Sequence, residues 1–146
     1  MIHIGFTGTQ EGMTAFQKER VFELLQYKDF WGHHGDCIGA DAEFDAIARS
    51  CKSFRWMHIH PCTITKKRAF CTKLPYDVVN EPLPPLDRNK VIVTESYCMI
   101  ATPKEAFMQL RSGTWSTVRF ALLQNKPTAI ILPNGALIYD GSEWPV

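Results

Sequence analysis

Short apolar runs alternate along this chain with segments whose apolar residues recur at helical spacing, and this alternation constrains the fold more than any other feature. The strand-like runs are residues 2–6, 30–34, 55–60, 97–101 and 128–132. Strands that alternate with helices pair in parallel, because each helix crosses the sheet and returns the chain to the same edge. The pattern therefore predicts an α/β domain of three layers around a mainly parallel, five-stranded sheet.

Local signals place the helices between these strands. Thr14 and Gln17 have the spacing of a capping box and predict a helix that begins after residue 14. Residues 40–51 carry an apolar stripe at helical spacing. Residues 86–94 stay open between helix and strand, since their β-branched side chains favour a strand and the preceding prolines favour a helix N-terminus. Residues 136–139 suggest a small hairpin or an edge strand.

The length of 146 residues fits one domain, 1–146, and the composition excludes several classes of protein. A formal net charge of +1 with 45% hydrophobic residues argues against a disordered chain and against broad binding to a nucleic-acid backbone. No apolar run reaches the roughly 20 residues of a membrane-spanning helix. The five cysteines lack Cys-x-x-Cys spacing and the N-terminus lacks an export signal, so we expect a soluble, cytoplasmic protein with free thiols.

Ligands of open α/β sheets bind beyond the carboxyl ends of the strands, where the strand order reverses. With an expected order of 3-2-1-4-5, the loops after the first and fourth strands meet at that crevice. The first loop holds Gly8 and Thr9, and the second ends at Ser112, Gly113 and Thr114, where a helix begins. Free N–H groups, a helix dipole and two hydroxyls predict a phosphate cradle here, although an ordinary Ser N-cap explains the same residues equally well.

A second glycine-containing turn, residues 35–41, also connects a strand to a helix. It matches neither the dinucleotide fingerprint nor the P-loop. Asp36 at the strand end suits binding of ribose hydroxyls, and it suits a turn equally well. Asp41 is explained by the helix dipole alone. The later loop, residues 62–85, is long enough to be functional or mobile, and we expect its cationic run at residues 66–68 to be solvated.

Metal and hydrolase chemistry has little support in the sequence. His58, His60 and Cys62 alternate as strand residues on one face do, but a proline interrupts the strand and no second ligand pair follows. One of the adjacent His33 and His34 must point into the core. We therefore expect no metal and no cofactor, and the lack of a Gly-x-Ser-x-Gly elbow argues against a serine hydrolase.

Five motifs follow one another along the chain. They are Gly5-Phe-Thr-Gly-Thr9, His34-Gly-Asp-Cys-Ile-Gly-Ala-Asp41, His58-Ile-His-Pro61, Arg88-Asn89 and Arg111-Ser-Gly-Thr114. Together they resemble the SLOG superfamily, which includes DprA, the cytokinin-activating LOG phosphoribohydrolases and the small YspA-like proteins. The resemblance spans nearly the whole chain and implies a Rossmann-like fold that binds a nucleotide or a nucleotide-derived small molecule. It also implies a helix around residues 88–89, a homodimer or higher homo-oligomer, and a bacterial or phage setting.

The crevice and the resemblance together define the expected ligand site. Its residues are Gly8, Thr9, Gly35, Asp36, Gly39, Asp41, Arg88, Asn89, Arg111, Ser112, Gly113, Thr114 and Thr117. Arg88 and Arg111 are the expected contacts to phosphate, and Asp36 is the expected contact to sugar hydroxyls.

One position departs from the LOG pattern Pro-Gly-Gly-x-Gly-Thr-x-x-Glu, because Thr117 stands where the catalytic glutamate belongs. A neutral hydroxyl does not stabilise an oxocarbenium-like centre as a carboxylate does. We therefore expect a sensor or sequestering protein. The alternative is a phosphoribohydrolase-type nucleotide hydrolase that uses Asp36, Asp41 or Glu43. Binding of single-stranded DNA is less favoured, since the chain lacks a basic groove with stacking aromatic residues.

Overall fold

The computed structural model describes residues 1–26 and 29–145, and the sheet within this part of the chain has seven strands. The strands are β1 Ile2–Gly8, β2 Phe30–His34, β3 Phe54–Ile59, β4 Val78–Val79, β5 Cys98–Thr102, β6 Thr128–Ile131 and β7 Leu137–Asp140. The helices are α1 Ala15–Leu24, α2 Ala40–Ser50, α3 Pro85–Glu95 and α4 Gly113–Leu123, with a 3-10 turn at Thr65–Lys67. The strand order is β4-β3-β2-β1-β5-β6-β7.

The predicted strands occupy the centre of the sheet in the predicted order, β3-β2-β1-β5-β6, and they pair in parallel. The expected number of five is wrong, because two short strands extend the edges. β4 lies inside the segment predicted as a loop and pairs with the end of β3 through only His58 and Ile59. A strand of two residues is too short to show the alternation of apolar and polar side chains by which a strand is recognised in a sequence. β7 is the expected edge strand and pairs antiparallel with β6.

The local helix signals are confirmed. Thr14 accepts a hydrogen bond from the N–H of Gln17, and the Gln17 side chain accepts one from the N–H of Thr14. The ambiguous residues 86–94 are helical, as the resemblance implied. Ile92 and Val93 are buried there, so tertiary packing outweighs their preference for a strand.

Helices cover both faces of the sheet. α1 packs against α2 on one face, and α3 packs against α4 on the other. Under the first pair, the rings of Phe6 and Phe44 stack with centroids 4.5 Å apart in the largest core cluster. None of the helices in the described ranges is both long and apolar enough to cross a membrane.

The segment between β3 and α3, residues 62–84, is tied to the sheet through a buried carboxylate. Asp77 accepts hydrogen bonds from the N–H groups of Met57 in β3 and of Leu74 within the segment. Arg49 of α2 forms an ion pair with the same carboxylate at 2.9 Å. The expected loop is therefore anchored to both a strand and a helix.

Candidate ligand-binding site

A cavity of about 460 Å³ lies at the carboxyl ends of β1 and β5, where the strand order reverses. We call it the carboxyl-end cavity. Of the residues predicted for the site, its walls include Gly8, Thr9, Gly35, Asp41, Arg88, Asn89, Arg111, Ser112, Gly113 and Thr114. Its volume lies within the range of small-molecule sites.

The N-terminus of α4 forms one wall of this cavity. Ser112 is the N-cap, and its hydroxyl accepts a hydrogen bond from the N–H of Trp115 at 3.2 Å. The N–H groups of Gly113 and Thr114 belong to the first turn, where a helix supplies no acceptor of its own. A Cβ placed on Gly113 meets no atom within 4 Å, so this backbone is open. The N-cap and the cradle are therefore compatible, since the cap uses one N–H and leaves others for an anion.

Lys67 and Arg111 supply positive charge to the cavity walls. Neither side chain makes a hydrogen bond or ion pair with another described residue, whereas Lys104 at the rim pairs with Glu11 at 2.9 Å. Lys67 is half-buried in the cavity wall, a position that its place in the cationic run did not predict. Its carbonyl oxygen accepts a hydrogen bond from the N–H of Ile38 at 2.9 Å, which brings the 3-10 turn against the turn after β2. No local signal predicts a contact between segments so distant in the chain.

Arg88 lies at the base of the cavity and is only 5% exposed. Its guanidinium donates hydrogen bonds to the carbonyl oxygens of Gly35 and His60 and to the side-chain oxygen of Asn89. Arg88 thus holds the turn after β2 in place, a role that no local sequence pattern indicates. The expected contact of Arg88 to phosphate stays a prediction. Such a contact would use the N–H groups of the guanidinium that these hydrogen bonds do not occupy.

Asp36 does not line the cavity. It is buried, and its carboxylate accepts hydrogen bonds from the Arg68 side chain at 3.0 Å and from the N–H of Cys71 at 2.9 Å. This corrects the expectation that Asp36 contacts sugar hydroxyls, because both oxygens hold the segment of residues 62–84. The expectation that the Arg68 side chain is solvated is also wrong, because Arg68 pairs with the buried carboxylate of Asp36.

Gly39 and Thr117 also lie outside the cavity walls. Gly39 has a φ of 88°, and a Cβ there would come within 2.2 Å of the Gln10 carbonyl oxygen. It therefore permits close packing of α2 against the loop after β1. Thr117 is buried and donates its hydroxyl to the carbonyl oxygen of Gly113, one turn earlier in α4. Both residues contact residues of the cavity wall, Gln10 and Gly113, without lining the cavity themselves.

Of the three carboxylates considered as replacements for a catalytic glutamate, Asp41 is the one that lines the cavity. Burial raises the pKa of its carboxyl above the ordinary value. The N–H of Cys37 donates to it at 3.1 Å. Glu43 is directed toward α1, where it pairs with Lys18 at 2.9 Å. Two other carboxylates at the cavity, Glu11 and Glu105, lie in the loops predicted to meet there but were not singled out.

A larger cavity of about 920 Å³ lies at the opposite end of the sheet, and we call it the amino-end cavity. Its walls include His3, Glu95 and Lys126. It adjoins the C-terminus of α3, whose dipole disfavours anions. The N-terminus of α4 and the unpaired cations instead favour the carboxyl-end cavity for a phosphorylated ligand.

The strand order, the helices on both faces and the cavity at the reversal of strand order define a Rossmann-like α/β domain. The chain is similar to the X-ray structure of TM1055, a structural genomics target, with a TM-score of 0.61 and 13% identity over 88% of this chain and 72% of that chain. At that identity the likeness shows the fold alone. No protein-family model matches the chain, and no curated protein matches it.

Proposed function

We propose that this chain binds a nucleotide or a nucleotide-derived small molecule in the carboxyl-end cavity, as a SLOG-type sensor or sequestering protein. The observation that carries the proposal is the joining of the α4 N-terminus with Lys67 and Arg111 in one cavity. A helix N-terminus favours phosphate, and a guanidinium adds charge-assisted hydrogen bonds to it. An anion there would meet N–H donors and two positive charges.

The rest of the cavity supports a ligand larger than phosphate. Phe6, Leu86 and Ile92 contribute apolar surface to its walls. Glu11 and Glu105 add carboxylate acceptors, which suit sugar hydroxyls or the amino group of a base. A mixture of apolar walls and a few polar groups is typical of sites that bind small organic molecules.

A thermal-shift screen followed by calorimetry tests this function. The panel contains nucleoside mono- and diphosphates, cyclic nucleotides and NAD-derived metabolites, with inorganic phosphate and free nucleosides as controls. We expect at least one nucleotide to stabilise the chain, by about 2.7 kcal/mol at 100 times its dissociation constant. A flat response across the panel would contradict the proposal.

Two variants of α4 locate the binding site. Gly113→Val adds a branched side chain at the open backbone, so we expect it to lower affinity strongly. Ser116→Val places the same branched side chain in the same helix away from the cavity walls and is the control. Equal affinity in the two variants would show that the ligand does not bind at the N-terminus of α4.

A second candidate function is hydrolysis of the N-glycosidic bond of a nucleotide, and the burial of Asp41 at the cavity favours it. A carboxyl whose pKa is raised can donate a proton to a leaving base. We expect no release of free base from nucleoside monophosphates at about 1 per second, because Thr117 replaces the glutamate of LOG enzymes. Release that disappears in Asp41→Asn would instead assign this chain an enzymatic activity.

A further inference from the structure

Three histidines and a glutamate converge on the sheet face that carries α3, away from the carboxyl-end cavity. His33 of β2 is the register partner of His58 of β3, and His60 follows His58 on the same face. The rings of His58 and His60 stack with centroids 4.2 Å apart, and that of His33 lies 4.9 and 5.2 Å from them. Glu95, the last residue of α3, has Oε1 3.5 Å from Nδ1 of His58.

We propose that His33, His58, His60 and Glu95 bind one divalent transition-metal ion, for which Zn²⁺ is the best match. One ligand atom of each residue lies within 4.8 Å of the ligand atoms of the other three. Three imidazole nitrogens and one carboxylate oxygen form a donor set that zinc accepts in tetrahedral geometry. Ligands about 2.1 Å from a tetrahedral ion are about 3.4 Å apart, so binding draws the ligand atoms together and turns the stacked rings of His58 and His60 out of parallel.

Each imidazole ring is held through its outer nitrogen. His33 Nε2 lies 2.7 Å from His3 Nδ1. Asn80 Oδ1 lies 2.8 Å from His58 Nε2 and accepts its N–H, whereas the Asn80 NH₂ group donates to His60 Nδ1 at 3.0 Å. A metal-bound histidine donates the N–H of its outer nitrogen, so the contact of His58 already has the required direction and the contact of His60 must be remade when an ion binds.

The inner nitrogens are directed to one another and to the carboxylate. His33 Nδ1 lies 2.9 Å from His60 Nε2, and His58 Nδ1 is the atom next to Glu95. Glu95 is partly exposed and lines the amino-end cavity, which gives an ion a path from solvent.

The structure separates this cluster from two other sets of residues. Cys62, which the sequence placed with His58 and His60, donates its thiol to the Ile64 carbonyl instead. His34, Asp45 and Cys71 also lie close together, but Arg49 pairs with Asp45 at 2.7 Å and would repel a cation. That second cluster supplies a control.

Titration of chelator-treated protein with Zn²⁺, and with Co²⁺ as a spectroscopic probe, tests the site. We expect one Zn²⁺ per chain and at least about tenfold weaker binding in His58→Ala and in Glu95→Gln. Cys71→Ser should bind as tightly as the wild type. Both informative variants change partly exposed side chains, and circular dichroism verifies that they fold.

Co²⁺ should show the visible absorption of a tetrahedral nitrogen and oxygen site without a thiolate charge-transfer band. Failure of the wild type to take up Zn²⁺ at about tens of micromolar would overturn the proposal, as would equal affinity in His58→Ala or a thiolate band. Asn80→Asp adds a directional test, because a carboxylate can accept N–H from both His58 and His60 when they bind metal through their inner nitrogens. Tighter binding in that variant supports the assigned ring orientation, and weaker binding contradicts it.

Discussion

Two buried polar side chains, Asp41 and Arg88, hold the turn that follows β2. The carboxyl group of Asp41 accepts a hydrogen bond from the N–H of Cys37, while the guanidinium of Arg88 donates one to the carbonyl oxygen of Gly35. Buried polar groups of a turn need partners, and charged partners make the stronger hydrogen bonds. The shape of one cavity wall thus depends on residues that reach it from α2 and α3.

Lys67 and Lys66 allow a test of a single charge at the cavity. Lys67 lines the cavity and Lys66 does not, although they are neighbours in one 3-10 turn. We expect Lys67→Ala to weaken binding of a nucleoside phosphate about fivefold by calorimetry at low salt, because a charge near the phosphate is lost. Lys66→Ala should leave affinity unchanged. Equal effects of the two substitutions would mean that only the general field of the segment matters.

Two buried carboxylates organise the segment between β3 and α3, Asp36 from the turn after β2 and Asp77 from within the segment itself. Asp36 holds its first half through Arg68 and Cys71, and Asp77 holds its second half through Met57 and Leu74. These bonds set the position of the 3-10 turn that carries Lys67. The segment of residues 62–84 therefore connects the core of the sheet to the carboxyl-end cavity.

Asp36→Asn tests that organisation. Asparagine tolerates the positive φ of 56° at this position, but its amide NH₂ would oppose the Arg68 side chain or the N–H of Cys71. We expect a loss of about 2 kcal/mol in the free energy of unfolding, with faster amide exchange over residues 62–84. Glu81→Gln, at an exposed position of the same segment, is the control. Unaltered exchange in Asp36→Asn would show that other contacts suffice.

The whole molecule should lose stability in mild acid when it is free of metal. His33 and His60 have pKa values of about 2 and about 3 in the folded chain, lowered by burial from 6.5. The unfolded chain therefore binds more protons than the folded chain below about pH 6.5. The contribution of these rings is complete above that pH and declines toward pH 3, by up to about 1.4 kcal/mol per pH unit for each histidine.

Urea unfolding in the presence of a chelator at about pH 7.5, 6 and 5 measures this dependence. His60→Gln keeps a side chain that can bond to Asn80 and should reduce the slope. Identical stability at the highest and lowest of these pH values would exclude the two histidines as the cause.

Association into a homodimer is a prediction at the same scale, and it follows from the resemblance to SLOG proteins. Phe107 and Leu110, in the loop beside the carboxyl-end cavity, are 78% and 86% exposed. Exposed apolar side chains of this size are typical of interaction surfaces. We expect light scattering at micromolar concentration to give the mass of a dimer, and Leu110→Glu to give that of a monomer. A monomeric wild type would contradict the expectation.

The sequence by itself determined the α/β class and the succession of strands and helices along the chain. These properties depend on periodicity and capping, which act between residues close in the chain, as the bonds between Thr14 and Gln17 illustrate. The central strand order was expected from the topology of Rossmann-like folds and not from local patterns. Most predicted site residues line the cavity for the same reason, because the ends of parallel strands meet at one edge.

Only the tertiary structure decided which way individual side chains face. It turned Asp36 toward Arg68, brought Lys67 to the cavity and placed His33 beside His58 and His60. Such contacts join residues far apart in the chain and depend on the register between strands, where a shift of one residue moves a side chain to the opposite face. Local patterns carry no information on that register, so the histidine cluster and the anchoring carboxylates emerged only from the folded chain.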